Sequence, residues 1–196
     1  MAHHDTLLLT IDYINDICHA DGKIPNCAEM VARHHVIDKA NMAIAHARQL
    51  GIPIAHVKVG FQPNYANCPA HSPVFGKAPD YGVLKLGDWG TEFLAGLDVR
   101  DEDFVIVKSR IGVFYNTQLE TLLRARGISH LVLAGVSTNH AVESAARDAH
   151  DRDYRVTVLG DACATASDAV HAATLAGVMS HLASITTVED WIRGQA

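Results

Sequence analysis

The sequence predicts an α/β protein: a three-layer α/β/α sandwich around a six-stranded, mostly parallel, doubly wound sheet. Two observations carry this. Short apolar, β-branched runs alternate with helical stretches along the whole chain, and such alternation builds a parallel sheet covered on both faces. The chain has 196 residues, 48% hydrophobic and 19% charged, which suits one sizeable core and is short for two. No repeat, low-complexity tract or linker interrupts it, so residues 1–196 read as a single domain.

The elements follow in order. Thr6–Asp12 (TLLLTID) is an apolar run ending in a carboxylate, the pattern of a buried strand. Asn26 stands where it caps one long helix from about Cys27 to Leu50, with Gly51 at its C′ position and Pro53 just beyond. Pro53–Val59 is the second strand. Residues 60–88 hold four prolines and little periodicity; a stretch of that length inside a compact domain reads as a lid or binding loop. Phe104–Val107 is the third strand, followed by a helix from about Thr117 to Arg126 that Gly127 stops. Leu131–Val136 is the fourth, followed by a helix over Asn139–Arg152. Arg155–Leu159 is the fifth, with a helix over Asp168–His181. Ala183–Thr186 makes a sixth strand and Val188–Arg193 a closing helix.

Composition narrows the function. A formal net charge of −6 argues against nucleic acid or an anionic membrane as the main partner. No run approaches the roughly 20 apolar residues of a membrane span. Met1–Thr10 shows neither a basic n-region nor a small-residue cleavage site, which predicts a cytoplasmic protein, and His3 and His4 are too few for a purification tag. Cys18, Cys27, Cys68 and Cys163 show no paired spacing and read as free thiols of a reducing compartment. None of the 13 histidines stands in a metal-binding motif. Nothing in these patterns calls for a metal or a cofactor.

Doubly wound sheets bind ligands beyond the carboxyl ends of their strands, where the strand order reverses. The segments to inspect are therefore Asp12, Val59–Gln62, Lys108–Phe114, Gly135–Ala141 and Asp161–Thr165.

Three of those segments resemble the isochorismatase-like cysteine hydrolase family. Ile11-Asp12-Tyr13-Ile14-Asn15-Asp16 is similar to its apolar strand, Asp, then x-x-Asn-Asp. Lys108 to Thr117 (KSRIGVFYNT) resembles its Lys-x-x-x-x-x-Phe-x-x-Thr. Gly135-Val136-Ser137-Thr138-Asn139-His140-Ala141-Val142 resembles its Gly-Val-x-Thr-x-x-Cys-Val, with alanine in place of cysteine. Asp161-Ala162-Cys163 and Gly87-Asp88-Trp89-Gly90 match two further landmarks.

The resemblance implies a catalytic Asp, Lys and Cys at Asp12, Lys108 and position 141, and hydrolysis of C–N bonds in small amide, carbamoyl or ureido compounds. A thiolate at a helix N-terminus is favoured by the dipole. The carboxylate takes the thiol proton and returns it to the leaving nitrogen. The resemblance also implies a cis peptide at Val136–Ser137, with Ser137 N and Ala141 N as the oxyanion hole. Phe61, Trp89, Phe114 and Tyr115 lie near strand ends and are candidates to wall the pocket, with Asn139 and His140 beside the nucleophile position. Nicotinamidase-like members bind a metal through Asp-x-His and a later His, which His56-Val57-Lys58 and His71 do not reproduce. A homo-oligomer, dimer or tetramer, is implied as well.

Ala141 has three explanations. It replaces a cysteine by design in a trapped hydrolase; or Asp12 acts alone as general acid on a vinyl ether, as in cysteine-free isochorismatases; or the chain is a non-catalytic binder that keeps the pocket. Cys18 and Cys163 read as packed thiols rather than substitutes. One geometric tension accompanies the motif order. In a 3-2-1-4-5-6 sheet, Lys108 starts two strand spacings, about 10 Å, from strand one, which predicts a loop bent inward to bring it to Asp12.

Overall fold

The computed structural model describes residues 5–194; His3 and His4 lie outside the described residues. Its strands are β1 (Thr6–Ile11), β2 (Ile54–Val59), β3 (Phe104–Lys108), β4 (His130–Val136), β5 (Arg155–Ala164) and β6 (Ser184–Thr186). They form one six-stranded sheet in the order β3-β2-β1-β4-β5-β6, and every pair is parallel. The helices are α1 (Asn15–Cys18), α2 (Ala28–Arg33), α3 (Val36–Gln49), α4 (Ala78–Tyr81), α5 (Leu119–Ala125), α6 (Glu143–His150), α7 (Asp168–Ala176) and α8 (Val188–Ile192). Among the described residues no helix is long and apolar enough to cross a membrane.

The central strands are mostly apolar and almost wholly buried because both of their faces are covered. All six residues of β1 are buried, and their period of two divides them between two cores. Leu7, Leu9 and Ile11 pack with Leu119 and Leu123 of α5 and Ala145 and Ala149 of α6. Leu8 packs with Ala40, Ala43 and Ile44 of α3 on the other side. Strand order reverses between β1 and β4, so their carboxyl ends open a crevice. Gly135 makes the close approach there. Its φ is +149°, and a Cβ on it would run into the carbonyl oxygen of Ile11.

Three departures from the expected elements matter. The single helix over Cys27–Leu50 is two helices, α2 and α3, separated at His34–His35, where His35 has φ +51°. His34 turns out to reach Asp168, 2.6 Å away. The start is Cys27 rather than Asn26, without a side-chain cap, whereas Gly51 takes its expected left-handed C′ position with φ +67°. The expected helix over Asn139–Arg152 opens with a π-helical turn, Thr138–Val142, before α6. The expected fifth strand continues past Leu159 to Ala164, because Cys163 and Ala164 still pair with Gly135 and Val136.

The proline-rich segment after β2 is not structureless. It carries α4, and Phe61 bridges to Lys85 in parallel fashion. Phe61 packs edge-on to Phe75, with ring centroids 5.4 Å apart. Two residues of the first motif fasten the segment. Asp16 Oδ2 accepts from Leu84 N at 2.7 Å, and Asn15 Nδ2 donates to Trp89 O at 2.9 Å.

A buried polar network lies under the β1–β2–β3 side. His56 Nδ1 is 2.7 Å from Thr10 Oγ1 and its Nε2 is 3.2 Å from Asp103 Oδ2. Arg48 grips both oxygens of Asp103, at 2.8 and 2.7 Å. Burial pushes the His56 imidazole below its ordinary value, against the pull of Asp103. The unfolded chain therefore takes up the proton first, near pH 6.5. Stability held above that pH is lost as pH falls toward the lower folded value. Urea midpoints between pH 7.5 and 5 are expected to fall more steeply for the parent chain than for a His56→Gln variant; equal slopes would remove His56 from the account.

Candidate active site

Asp12 follows directly on β1 with φ +57°, a left-handed conformation that is uncommon for a side chain larger than glycine. Its Oδ2 lies 2.7 Å from Lys108 Nζ, and the two side chains are 5% and 1% exposed. Lys108 Nζ also donates to Arg110 O at 3.2 Å. The geometric tension resolves without the inward loop. Lys108 stays in β3 as its last residue, in register with Val59, and its Nζ reaches Asp12 from there. The Asp12 side chain and the hydrogen bond close the remaining distance.

The other Asp12 oxygen, Oδ1, is the one buried side-chain polar atom without a hydrogen-bond partner among the described residues. Such an atom costs free energy wherever nothing pairs with it. Burial pushes the Asp12 carboxyl above its ordinary value, with the Lys108 charge pulling it back. The group is thus a buried carboxylate whose proton-bound form burial favours, with one oxygen on lysine and the other unpaired.

The β4–α6 connection supplies the opposite side. The Val136–Ser137 peptide is cis, and the turn after it is tied back by His140 N and Val142 N, which donate to Ser137 O at 3.1 and 3.3 Å. Thr138 Oγ1 meets His171 Nδ1 at 2.9 Å, and Thr165 Oγ1 donates to Asn139 Oδ1 at 2.6 Å. The turn is thereby braced from α7 and from the end of β5. Ala141 is buried at 4% exposure.

Asp12, Lys108, Ser137, His140 and Ala141 line one cavity of about 370 Å³. Phe61, Trp89, Phe114, Tyr115 and Asn139 do not line it. Phe61 is fully buried behind it, in the cluster with Phe75 and Val83. Phe114 stacks on Tyr154, centroids 6.0 Å apart, beneath the Arg152 guanidinium. Trp89 sits edge-on to His19 at 5.1 Å, and Tyr115 is 64% exposed. Asn139 spends its oxygen on Thr165. The aromatic lining comes instead from Phe75 and Tyr81, in the segment after β2, with Ile17, Ile24 and Ile111 beside them. Pro73-Val74-Phe75, an apolar triplet flanked by polar residues on its N-terminal side, was the available signal.

The cysteines lie outside this lining. Cys18 Sγ is 3.7 Å from Asp12 O, and Cys27 Sγ is 3.2 Å from Ser137 Oγ. Burial raises the thiols of both, and it pushes the Cys163 thiol up to about 12. Such thiols are packing groups rather than nucleophiles. Among the described residues no three His, Cys, Asp or Glu side chains are grouped to hold a metal.

A doubly wound sheet, a buried carboxylate–lysine pair at its switch point and a braced strand-to-helix turn across the same cavity define an α/β protein with a small-molecule site. The chain belongs to the isochorismatase family, whose domain matches residues 6–190. It is 34% identical over 170 residues to an uncharacterized isochorismatase family protein, YecD, of Escherichia coli, covering 87% of this chain and 88% of that one. It is 33% identical over 185 residues to the ureidoacrylate amidohydrolase RutB of Variovorax paradoxus, covering 92% and 72% of the two chains. Among solved structures, N-carbamoylsarcosine amidase from Thermoplasma acidophilum superposes with a TM-score of 0.74 at 26% identity, over 94% of this chain and 97% of that one.

Proposed function

We propose that this fold and site belong to a hydrolase of C–N bonds in small amide, carbamoyl or ureido compounds, and that this chain lacks turnover because position 141 is alanine. The observation that carries the reading is the buried Asp12–Lys108 pair with one carboxylate oxygen left open, in the same cavity as Ala141. Relatives named as amidohydrolase and amidase support the reaction class.

With cysteine at 141, the open oxygen of Asp12 accepts the thiol proton as the sulfur attacks the carbonyl carbon. Backbone N–H groups of Ser137 and residue 141 hold the oxyanion. Collapse breaks the C–N bond, and Asp12 returns the proton to the leaving nitrogen. Water then attacks the thioester with Asp12 again as base, the C–S bond breaks, and Asp12 returns the proton to the sulfur. Lys108 orients Asp12 and favours its charged form before each proton is taken up. Alanine leaves the pocket and the carboxylate in place and removes only the atom that forms the covalent bond. The same reading carries a small-molecule substrate, no metal, a homo-oligomeric assembly and a cytoplasmic location.

One observation favours a second reading. The upward push on the Asp12 carboxyl suits a proton donor, and protonation of a vinyl ether needs no thiol. The two readings part at the covalent step. Mass spectrometry of an Ala141→Cys variant, quenched during turnover of a small amide, is expected to find an acyl adduct on the peptide bearing residue 141. Turnover without any adduct on that peptide counts for proton transfer by Asp12 alone.

A further inference from the structure

The cavity changes character from floor to mouth. Its floor holds the Asp12–Lys108 pair, Ser137 and Ala141. Its walls are mostly hydrocarbon, Ile17, Ile24, Val59, Phe75, Leu84 and Ile111, with Asn26 and His140 among them. At the mouth stand Val74 and Tyr81, 55% and 65% exposed, and the exposed Lys77.

Asp12, Lys77 and Lys108 are the charged residues of this lining. Asp12 and Lys108 neutralise each other at 2.7 Å, which leaves a single net positive charge, on Lys77. That sign is opposite to the −6 of the whole chain. Among the described residues Lys77 makes no side-chain hydrogen bond and no ion pair, whereas Lys23 is engaged with Gly82 O and Lys85 with Asp88. At the opposite end of the cavity the open oxygen of Asp12 is likewise without a partner. Two unpartnered polar groups are thus separated by an apolar wall.

We infer that the site takes amphipathic anions, with a neutral amide or ureido group at the floor, a branched or aromatic hydrocarbon body along the wall, and a carboxylate at the mouth held by Lys77. The identity of the group at the floor rests on the amide-hydrolase reading. The orientation follows from the costs. A carboxylate at the floor would be desolvated beside Asp12, and both repulsion and burial oppose that. At the mouth it stays partly in water and meets a free ammonium. The hydrocarbon body gains from leaving water along the wall. Lys77 is therefore a specificity residue that acts on binding and not on the bond-breaking step.

The test is calorimetric titration of the Ala141 protein itself, which requires no turnover. Three probes separate the parts: N-carbamoyl-leucine carries all three, isopentylurea lacks the carboxylate, and N-carbamoylglycine lacks the hydrocarbon body. N-carbamoyl-leucine is expected to bind about tenfold or more tighter than either of the others. Lys77→Gln is expected to weaken N-carbamoyl-leucine by roughly tenfold while isopentylurea keeps its affinity, and added salt should act in the same direction as the substitution. Equal affinities for N-carbamoyl-leucine and isopentylurea, an equal loss for both in Lys77→Gln, or binding of none of the three would overturn the inference. Charge-selective binding combined with an Ala141→Cys form that hydrolyses none of the probes would instead count against the amide-hydrolase reading and leave the anion site standing.

Discussion

Lys108→Met is expected to cost about 3–5 kcal/mol of folding stability, because it leaves the Asp12 carboxylate buried without its counter-charge. The surroundings make this cost hard to escape. The two side chains are 1% and 5% exposed, so water cannot replace the lost ammonium, and Oδ1 of Asp12 is already unpaired. The carboxyl, raised by burial even with the lysine present, rises further when the lysine is gone. The sign of the pH dependence follows. A carboxyl whose folded pKa lies above its unfolded value binds its proton first in the folded state, so folding becomes relatively more favourable as pH falls. The deficit of Lys108→Met against the parent, measured by urea unfolding, is therefore expected to be largest near neutrality and to shrink toward pH 5. The double variant Asp12→Asn/Lys108→Met, which buries no charge, should recover much of the loss, giving a large coupling energy. A single variant that unfolds at the parent's urea midpoint would show that the pair is not the buried ion pair described above.

Most of the fold was legible because burial imposes a simple pattern on a doubly covered sheet. The run TLLLTI of β1 and the run HLVLAGV of β4 are apolar on both sides of the pleat but for a few threonines and a histidine, as a central parallel strand requires. Asp12, Lys108 and Ala141 were legible through motif order, and the cavity brings them together. The pocket wall was not. Proximity to a strand end does not say which way a ring points. Phe61 serves to anchor the following segment on Phe75, and Phe114 is taken up by Tyr154 and Arg152, each a contact distant in sequence. The break between α2 and α3 was hidden for a similar reason. His34–His35 carries neither proline nor glycine, and its partner Asp168 is more than a hundred residues away. The fifth strand was expected to end at Leu159, yet pairing with β4 carries β5 on to Ala164.

On the proposed function, Ala141 removes the nucleophile from an otherwise complete site. Restoring it is expected to have the largest effect on activity, since the carboxylate, its lysine and the braced turn already stand in one cavity. In the restored background, Asp12→Asn is expected to lower the rate by about a hundredfold to ten-thousandfold, the usual weight of a general acid–base group. The direct measurement is ammonia release by the parent chain and by Ala141→Cys, side by side, across small primary amides, carbamoyl and ureido compounds. Release by the cysteine form alone, lost again on Asp12→Asn, is the predicted result. Silence from both forms, or equal release from both, would contradict it.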